Sequence, residues 1–322
     1  MRVVLVTPAP RGSTTGNRTT ALRWSRILRE LSHRVRVVGR WDGEPCDLLL
    51  ALHARKSLAS VERFHRAHPE RPVVTALTGS DIYRDLARSP RTLRSLAIAR
   101  RLVTLQPLAE LQIPQRLRPK IRVIFQSVVP VRSGVRPSQR TFDVSVIAHL
   151  RPLKDPFRAA MAARKLPRES KVRVLQVGRA LHPQMAVRAR DELRRNPRYQ
   201  WLGELPRWKA LRLLARSRLV VISSRLEGGA NVVGEAVVAG VPILASRIAG
   251  NVGLLGRSYP GYFELGHTRE LTRLLVRAET EPRFLERLRS HIRRRKPLFL
   301  PAREKRAWRS LLRELQEGSM SR

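Results

Sequence analysis

Short apolar runs rich in β-branched residues recur along this chain, each followed by a turn and a segment of helical period. Residues 2–7, 34–38, 47–52 and 73–77 begin the series, and 102–105 and 121–125 continue it. Runs apolar on both faces belong to parallel strands covered by helices on both sides. Their alternation with helices excludes sandwiches and helical bundles. A second series follows at 144–148, 172–177, 199–202 and 219–223. Helices are expected from Pro156, at 185–195, 206–215 and 231–239, from Thr268, and at about 301–316. Residues 250–256 read as a glycine loop. Between the two arrays, 128–140 carries prolines and Gly134 without an apolar period, which marks a linker. The fold class is α/β, two Rossmann-like domains facing across a cleft, with boundaries at 1–135 and 141–300 and a terminal helix at 301–322.

Composition narrows the function classes. With 322 residues and 42% hydrophobic content, the chain can bury two cores. Cys46 is its one cysteine, which excludes a disulfide framework and a thiolate metal cluster and suits a reducing cytoplasm. The apolar run before Pro8 is too short for a signal peptide, and Glu235 interrupts the longest apolar stretch, so no integral membrane segment is expected. The net charge is +40, and eight of the 65 basic residues are lysine, the rest arginine. Such a field attracts anions, yet the arginines are spread along the chain, with no compact basic tract interleaved with aromatics. Nucleic acid is therefore not an expected partner. The eight histidines are scattered without metal-ligand spacing, and no metal is expected.

The stretch from Ser223 to Pro242 carries the most chemistry. A β-branched run ends in Glu227-Gly228-Gly229, a helix opens at Asn231 as the expected N-cap, and Gly240 with Pro242 stops it. The glycines remove side chains between backbone and ligand, and the amides of Ala230, Asn231 and Val232 at the helix start suit a phosphate. Glu227 and Glu235 flank this start, eight positions apart, in a chain with only 25 acids. A buried carboxylate without a partner costs several kcal/mol, so a ligand or basic partner is implied. Two acids beside a phosphate cradle suit a nucleotide sugar.

Glu227-Gly228-Gly229 through Glu235-Ala236, followed by Ala239-Gly240-Val241-Pro242, resembles the E-x7-E donor motif of GT-B glycosyltransferases of family 4. The resemblance implies that Glu227 and the loop amides contact the sugar and that the helix start holds the diphosphate. It also implies that Glu235 binds ribose hydroxyls and that 301–322 crosses back to the first domain. Thr7-Pro8-Ala9-Pro10, Gly16-Asn17-Arg18, Leu52-His53-Ala54-Arg55, Thr78-Gly79-Ser80-Asp81, Phe125-Gln126-Ser127 and Ala148-His149-Leu150-Arg151 extend it. As a set these are similar to the selenosugar synthases of selenoneine biosynthesis. That similarity implies UDP-N-acetylglucosamine as donor and selenophosphate as acceptor, with no cofactor beyond the UDP-sugar.

Relatives usually carry Gly-Arg after the first strand of the second domain, with a lysine a few residues on. Ala148-His149 stands there, Lys154 fits the lysine, and either Arg151 or a protonated His149 supplies the second charge. Leu205 completes the expected donor set. On the acceptor side, Gly12, Gly16, Asn17, Arg18, His53, Thr78 and Asp81 are the candidates. Thr78-Gly79-Ser80-Asp81 replaces the His-Gly-x-Asp of many relatives, which leaves the histidine's role to His53 or to no residue. Selenium in selenophosphate is already a strong nucleophile, which fits the lack of an obvious catalytic base. Two other readings stay open: a peripheral-membrane glycosyltransferase with a lipid-linked acceptor, using the basic amphipathic helix at 21–31, and a non-catalytic nucleic-acid binder.

Overall fold

The computed structural model describes residues 1–130 and 136–320. Part of the expected linker and the boundary at 135 thus lie outside the described residues. The chain divides into two compact units. The first comprises Met1–Ser127, Glu227–Gly229 and Pro301–Arg322; the second comprises Val128–Leu226 and Ala230–Leu300.

The first unit is built on a parallel sheet of β1 (Arg2–Val6), β2 (Arg34–Val38), β3 (Leu48–Leu52), β4 (Val73–Leu77), β5 (Arg101–Thr104) and β6 (Ile121–Val123). Their order is β2-β1-β3-β4-β5-β6. Every residue of β3 and β4 is buried, which is why neither alternates polar and apolar positions. α1 (Gly16–Glu30), α2 (Leu58–Ala67) and α3 (Pro90–Ile98) cover the sheet. In the second unit β7 (Phe142–Ile147), α4 (Arg158–Ala163), β8 (Val172–Val177), α5 (Pro183–Arg195), β9 (Tyr199–Trp201) and α6 (Arg207–Arg216) come first. β10 (Leu219–Ile222), α7 (Asn231–Ala239), β11 (Ile243–Ser246), α8 (Ala249–Leu255) and β12 (Tyr262–Phe263) follow, then α9 (Thr268–Thr280) and α10 (Pro282–Arg295). This sheet is also parallel and six-stranded, ordered β12-β11-β10-β7-β8-β9.

The last helix, α11 (Pro301–Met320), belongs to the first unit. Trp308, Leu311, Leu312 and Leu315 lie in one cluster with Trp24, Leu28 and Leu50. Trp24 and Trp308 meet edge to face, with ring centroids 4.8 Å apart. A buried acid ties this packing together. Glu304 is 1% exposed, and its Oε1 accepts from the Trp24 indole N–H at 2.7 Å. Its Oε2 accepts from the Ser127 amide at 2.8 Å and the Ser127 hydroxyl at 2.5 Å.

Several sequence expectations change. Most of the expected glycine loop at 250–256 is helical: α8 spans Ala249–Leu255, buries one face on the core, and ends at Gly256, φ 93°. The helix expected at 21–31 is α1, which starts earlier, at Gly16. A 3₁₀ turn at Pro152–Lys154 precedes α4, which begins at Arg158 rather than Pro156. α3 and α10 and the two-residue β12 had no counterpart in the sequence reading. The helix at 21–31 offers no apolar face to a membrane: Ala21, Trp24, Ile27 and Leu28 of α1 are buried in the core. Among the described residues no helix is long and apolar enough to cross a membrane.

Glu304→Ala removes the acceptor of three buried donors. It should lower the unfolding free energy of the first unit by roughly 3 kcal/mol, read as a shift of the urea midpoint. Glu304→Gln, which keeps one carbonyl acceptor, should lose less.

Candidate active site

The second sheet reverses direction at its first strand. The chain steps outward from β7 through β8 to β9, then returns so that β10 pairs with the opposite edge of β7, Leu219 opposite Val144 and Val220 opposite Ser145. A reversal of this kind leaves a crevice at the carboxyl ends of the two central strands. Here those ends feed the turn holding His149, Arg151 and Lys154, and the segment that leads to α7.

Side chain and backbone staple these two segments. The Ser223 hydroxyl donates to the carbonyls of Asp155, at 2.8 Å, and Lys154, at 3.2 Å. The Arg225 amide donates to the Leu153 carbonyl at 2.9 Å. Asp155 takes a left-handed conformation, φ 42°, to close the turn, and its carboxylate pairs with Arg158 at 2.8 Å. At the exit of β7, a Cβ on Gly178 would lie 2.1 Å from the Ala148 carbonyl oxygen, so this crossing of backbones requires glycine. Behind them, Ser246 donates to the Ser224 carbonyl at 2.6 Å, and the buried Asn251 amide donates to the Ser246 carbonyl at 2.9 Å.

α7 begins one residue later than the sequence suggests. Ala230 holds the cap position and Asn231 is the first helical residue, so the expected Asn231 cap is not formed. No side chain caps the helix and its first turn has no acid. Neither the cap residue nor the first turn places an acid on the positive end of the helix dipole, an arrangement chemically suited to a phosphate. At the other end Gly240 adopts φ 75°, and the Val241 amide donates to the Ala236 carbonyl at 2.9 Å, a glycine stop as expected.

Glu235 lies one turn inside α7 and is buried. Its side chain is 7% exposed, and its Oε1 stands 2.7 Å from an Arg207 guanidinium nitrogen whose side chain is 53% exposed. That oxygen makes no aligned hydrogen bond, so the pair is held by charge alone. Arg207, at the start of α6, escaped the sequence reading; nothing in the spacing relates it to Glu235. Leu205, just before it, packs against the Leu175–Val177–Leu213 cluster. Glu227 is buried and precedes Gly228 and Gly229 in the segment that groups with the first unit.

His149 is one of the two candidates for the second cation. Burial pushes its pKa below the usual 6.5; Glu204 opposes the shift, and Arg179, Arg151 and Lys154 reinforce it. Its Nδ1 accepts from the Arg179 amide at 3.2 Å, which puts the ring proton on Nε2. His149 is therefore a neutral donor at pH 7, and Arg151 with Lys154 holds the positive charge.

The first unit reverses at its first strand in the same way, between β1 and β3. Gly12 turns the loop after β1 at φ 79°. Gly16, Asn17 and Arg18 form the first turn of α1, which likewise has neither a side-chain cap nor an acid. His53, at the end of β3, sits at φ 71° with its ring buried and Nε2 3.0 Å from the Ser80 hydroxyl. Burial lowers its pKa, with Asp81 and Asp85 opposing. Asp81 is fully buried and accepts from the amides of Thr78, Gly79 and Ala54 at 2.7 to 3.1 Å. It therefore shapes the Thr78–Gly79 turn. Ser80 lies within a segment the sequence singled out, but its hydroxyl partner was not apparent. Among the described residues no group of three or more His, Cys, Asp or Glu could hold a metal ion.

Residues 134–295, half of the chain, match the family described as glycosyl transferases group 1. No curated protein sequence matches at a significant level. Solved structures match over most of the chain. HepE of Anabaena in complex with UDP-glucose is 16% identical, with a TM-score of 0.77 over 98% of this chain and 100% of its own. Sucrose-phosphate synthase of Thermosynechococcus elongatus is 14% identical, with a TM-score of 0.75 over 98% and 99%. A TarM variant of S. aureus in complex with fondaparinux, α-GlcNAc-glycerol and UDP is 16% identical, with a TM-score of 0.65 over 82% and 55%. These likenesses define the class: two parallel six-stranded sheets with flanking helices, the GT-B fold. The chain belongs to the group 1 glycosyl transferases and is a glycosyltransferase.

A lowered His149 pKa means the folded protein binds fewer protons than the unfolded chain near pH 6.5. The stability tied to this site is then lost as pH falls through 6.5. A proton NMR titration should place the His149 midpoint below 6.5, Arg151→Gln should raise it, and Glu204→Gln should lower it further.

Proposed function

We propose that the protein transfers N-acetylglucosamine from UDP-N-acetylglucosamine to selenophosphate, forming a carbon–selenium bond. The observation that carries the donor half is the start of α7 at the switch point of the second sheet, reached through Ser223 and Arg225, which hydrogen-bond the turn after β7. In this reading the diphosphate meets the α7 amides of Ala230, Asn231 and Val232, with Arg151 and Lys154 countering its charge. Glu235 takes the ribose hydroxyls, Glu227 with Gly228 and Gly229 meets the sugar, Leu205 lines the base side, and His149 donates from Nε2. UDP is supported by neighbours solved with UDP or UDP-glucose, and the N-acetyl sugar by the TarM complex with α-GlcNAc-glycerol. The selenosugar assignment rests on the resemblance carried by the first unit's motifs, and the anionic acceptor fits the uncapped start of α1 with Asn17 and Arg18.

The reaction follows from positioning. A selenium lone pair attacks C1 of the sugar while the C1–oxygen bond breaks, and UDP leaves with that electron pair onto the α7 amides and Lys154. Water then takes the phosphoryl group from selenium as inorganic phosphate, leaving the selenosugar. Selenium in selenophosphate needs no deprotonation to attack, so no step calls for a general base.

Incubation with UDP-N-acetylglucosamine and selenophosphate should yield a selenium-bearing sugar by mass spectrometry. UDP release without that product would overturn the acceptor assignment and keep the donor. Glu235→Ala should weaken UDP binding by calorimetry about tenfold, with the fold intact by circular dichroism. Glu227→Ala should lower turnover far more than it weakens UDP binding.

A further inference from the structure

α11 has two faces of opposite chemistry. Glu304, Trp308, Leu311, Leu312 and Leu315 point into the first unit and are buried. Arg303, Arg306, Arg309 and Arg313 are exposed on the other side, spaced three, three and four residues apart, which puts them on one stripe about 15 Å long. None of the four forms an ion pair or hydrogen bond among the described residues, whereas Arg101 and Arg122 pair with Glu314 on the same helix. Beside the stripe lies a cavity of about 390 Å³ lined by Val123, Phe125, Arg303, Glu304, Arg306 and Ala307. Glu304 lines it with both oxygens already held by Trp24 and Ser127. The lining thus combines three apolar residues, Val123, Phe125 and Ala307, with two arginines and Glu304.

We propose that this face of α11 docks on an anionic phospholipid surface, with phosphate headgroups on the arginine stripe and the apolar part of one lipid in the cavity. Basic residues clustered on one helical face gain attraction from each anionic headgroup they approach. Guanidinium groups hold phosphate oxygens in pairs. A cavity lined in part by Val123, Phe125 and Ala307 adds what a purely electrostatic surface lacks, apolar contact for hydrocarbon. Nucleic acid fits less well, since among the described residues the one exposed aromatic ring is Trp208, in the second unit. The proposal is independent of the donor and acceptor assigned above.

The test is co-sedimentation of the full-length chain with phosphatidylcholine vesicles, with and without about one-third phosphatidylglycerol, at near-physiological salt. The protein should sediment with the anionic vesicles and stay in solution with the neutral ones. Arg303→Gln, Arg306→Gln, Arg309→Gln and Arg313→Gln together should weaken binding at least tenfold. The same charge loss at exposed arginines of the second unit, Arg190→Gln, Arg195→Gln, Arg269→Gln and Arg273→Gln, should change it less than twofold. All substitutions lie on exposed positions, and an unchanged thermal melt confirms folding. Equal loss from both sets would show attraction by net charge alone and overturn the proposal. So would a DNA duplex that binds as tightly as the vesicles and is lost with the α11 set.

Discussion

The pairing of β10 with β7 governs the crevice of the second unit. The strands share a short register, Leu219 with Val144 and Val220 with Ser145, and both are buried in the middle of the sheet. Had β10 continued outward beside β9, the Arg151–Lys154 turn and the segment before α7 would lie at separate strand ends. Placed where it is, β10 delivers Ser223 and Arg225 to hydrogen-bond the turn after β7, and the positive end of α7 then follows from chain continuity. The same reversal at β1 and β3 puts the loop after β1 and His53 at neighbouring strand ends. Site geometry is thus a consequence of strand order, which is set by burial of strands apolar on both faces.

Strand order is also what a single sequence hides. The apolar runs were legible because β3, β4, β7 and β10 are buried on both faces, and Gly240 announced the end of α7 through its left-handed conformation. Glycines misled at 250–256, where Gly250 and Gly253 sit inside a short buried helix whose stability comes from packing rather than propensity. Asn231 read as a cap by residue type, yet its backbone is already helical and Ala230 takes the extended conformation. The Arg207–Glu235 pair and the His53–Ser80 pair join elements far apart in sequence, and no periodicity carries such information. Asp81 was visible as a candidate because it sits on a loop; only the three amides around it show that it builds the turn.

Acids in this chain are scarce, and the interior spends them as ties. Asp143 holds Arg173, Glu192 holds Arg164 and Asn196, Asp85 holds Arg55 and Arg84, and Glu304 holds Trp24 and Ser127. In each the carboxylate meets aligned donors, which offsets the cost of taking it out of water. Glu235 departs from the pattern. Its Oε1 is met by an exposed, unaligned guanidinium that can leave without disturbing packing, so at this oxygen the acid is held by charge rather than by aligned donors.

The two units repeat one architectural device and differ in what surrounds it. α1 and α7 each start just after a central strand, each lacks a capping side chain, and neither has an acid in its first turn. Around α7 the chain adds Glu227 before the helix and Glu235 within it, acceptors suited to hydroxyl groups, with Arg151 and Lys154 on the facing turn. Around α1 it adds Asn17 and Arg18 and no carboxylate inside the first turn. A helix start with acids at its flank suits a phosphate ligand that also offers hydroxyls to those acids. A helix start with an arginine and no acid suits a smaller anion that brings no hydroxyls. The two units therefore differ in the side chains placed around a shared backbone element.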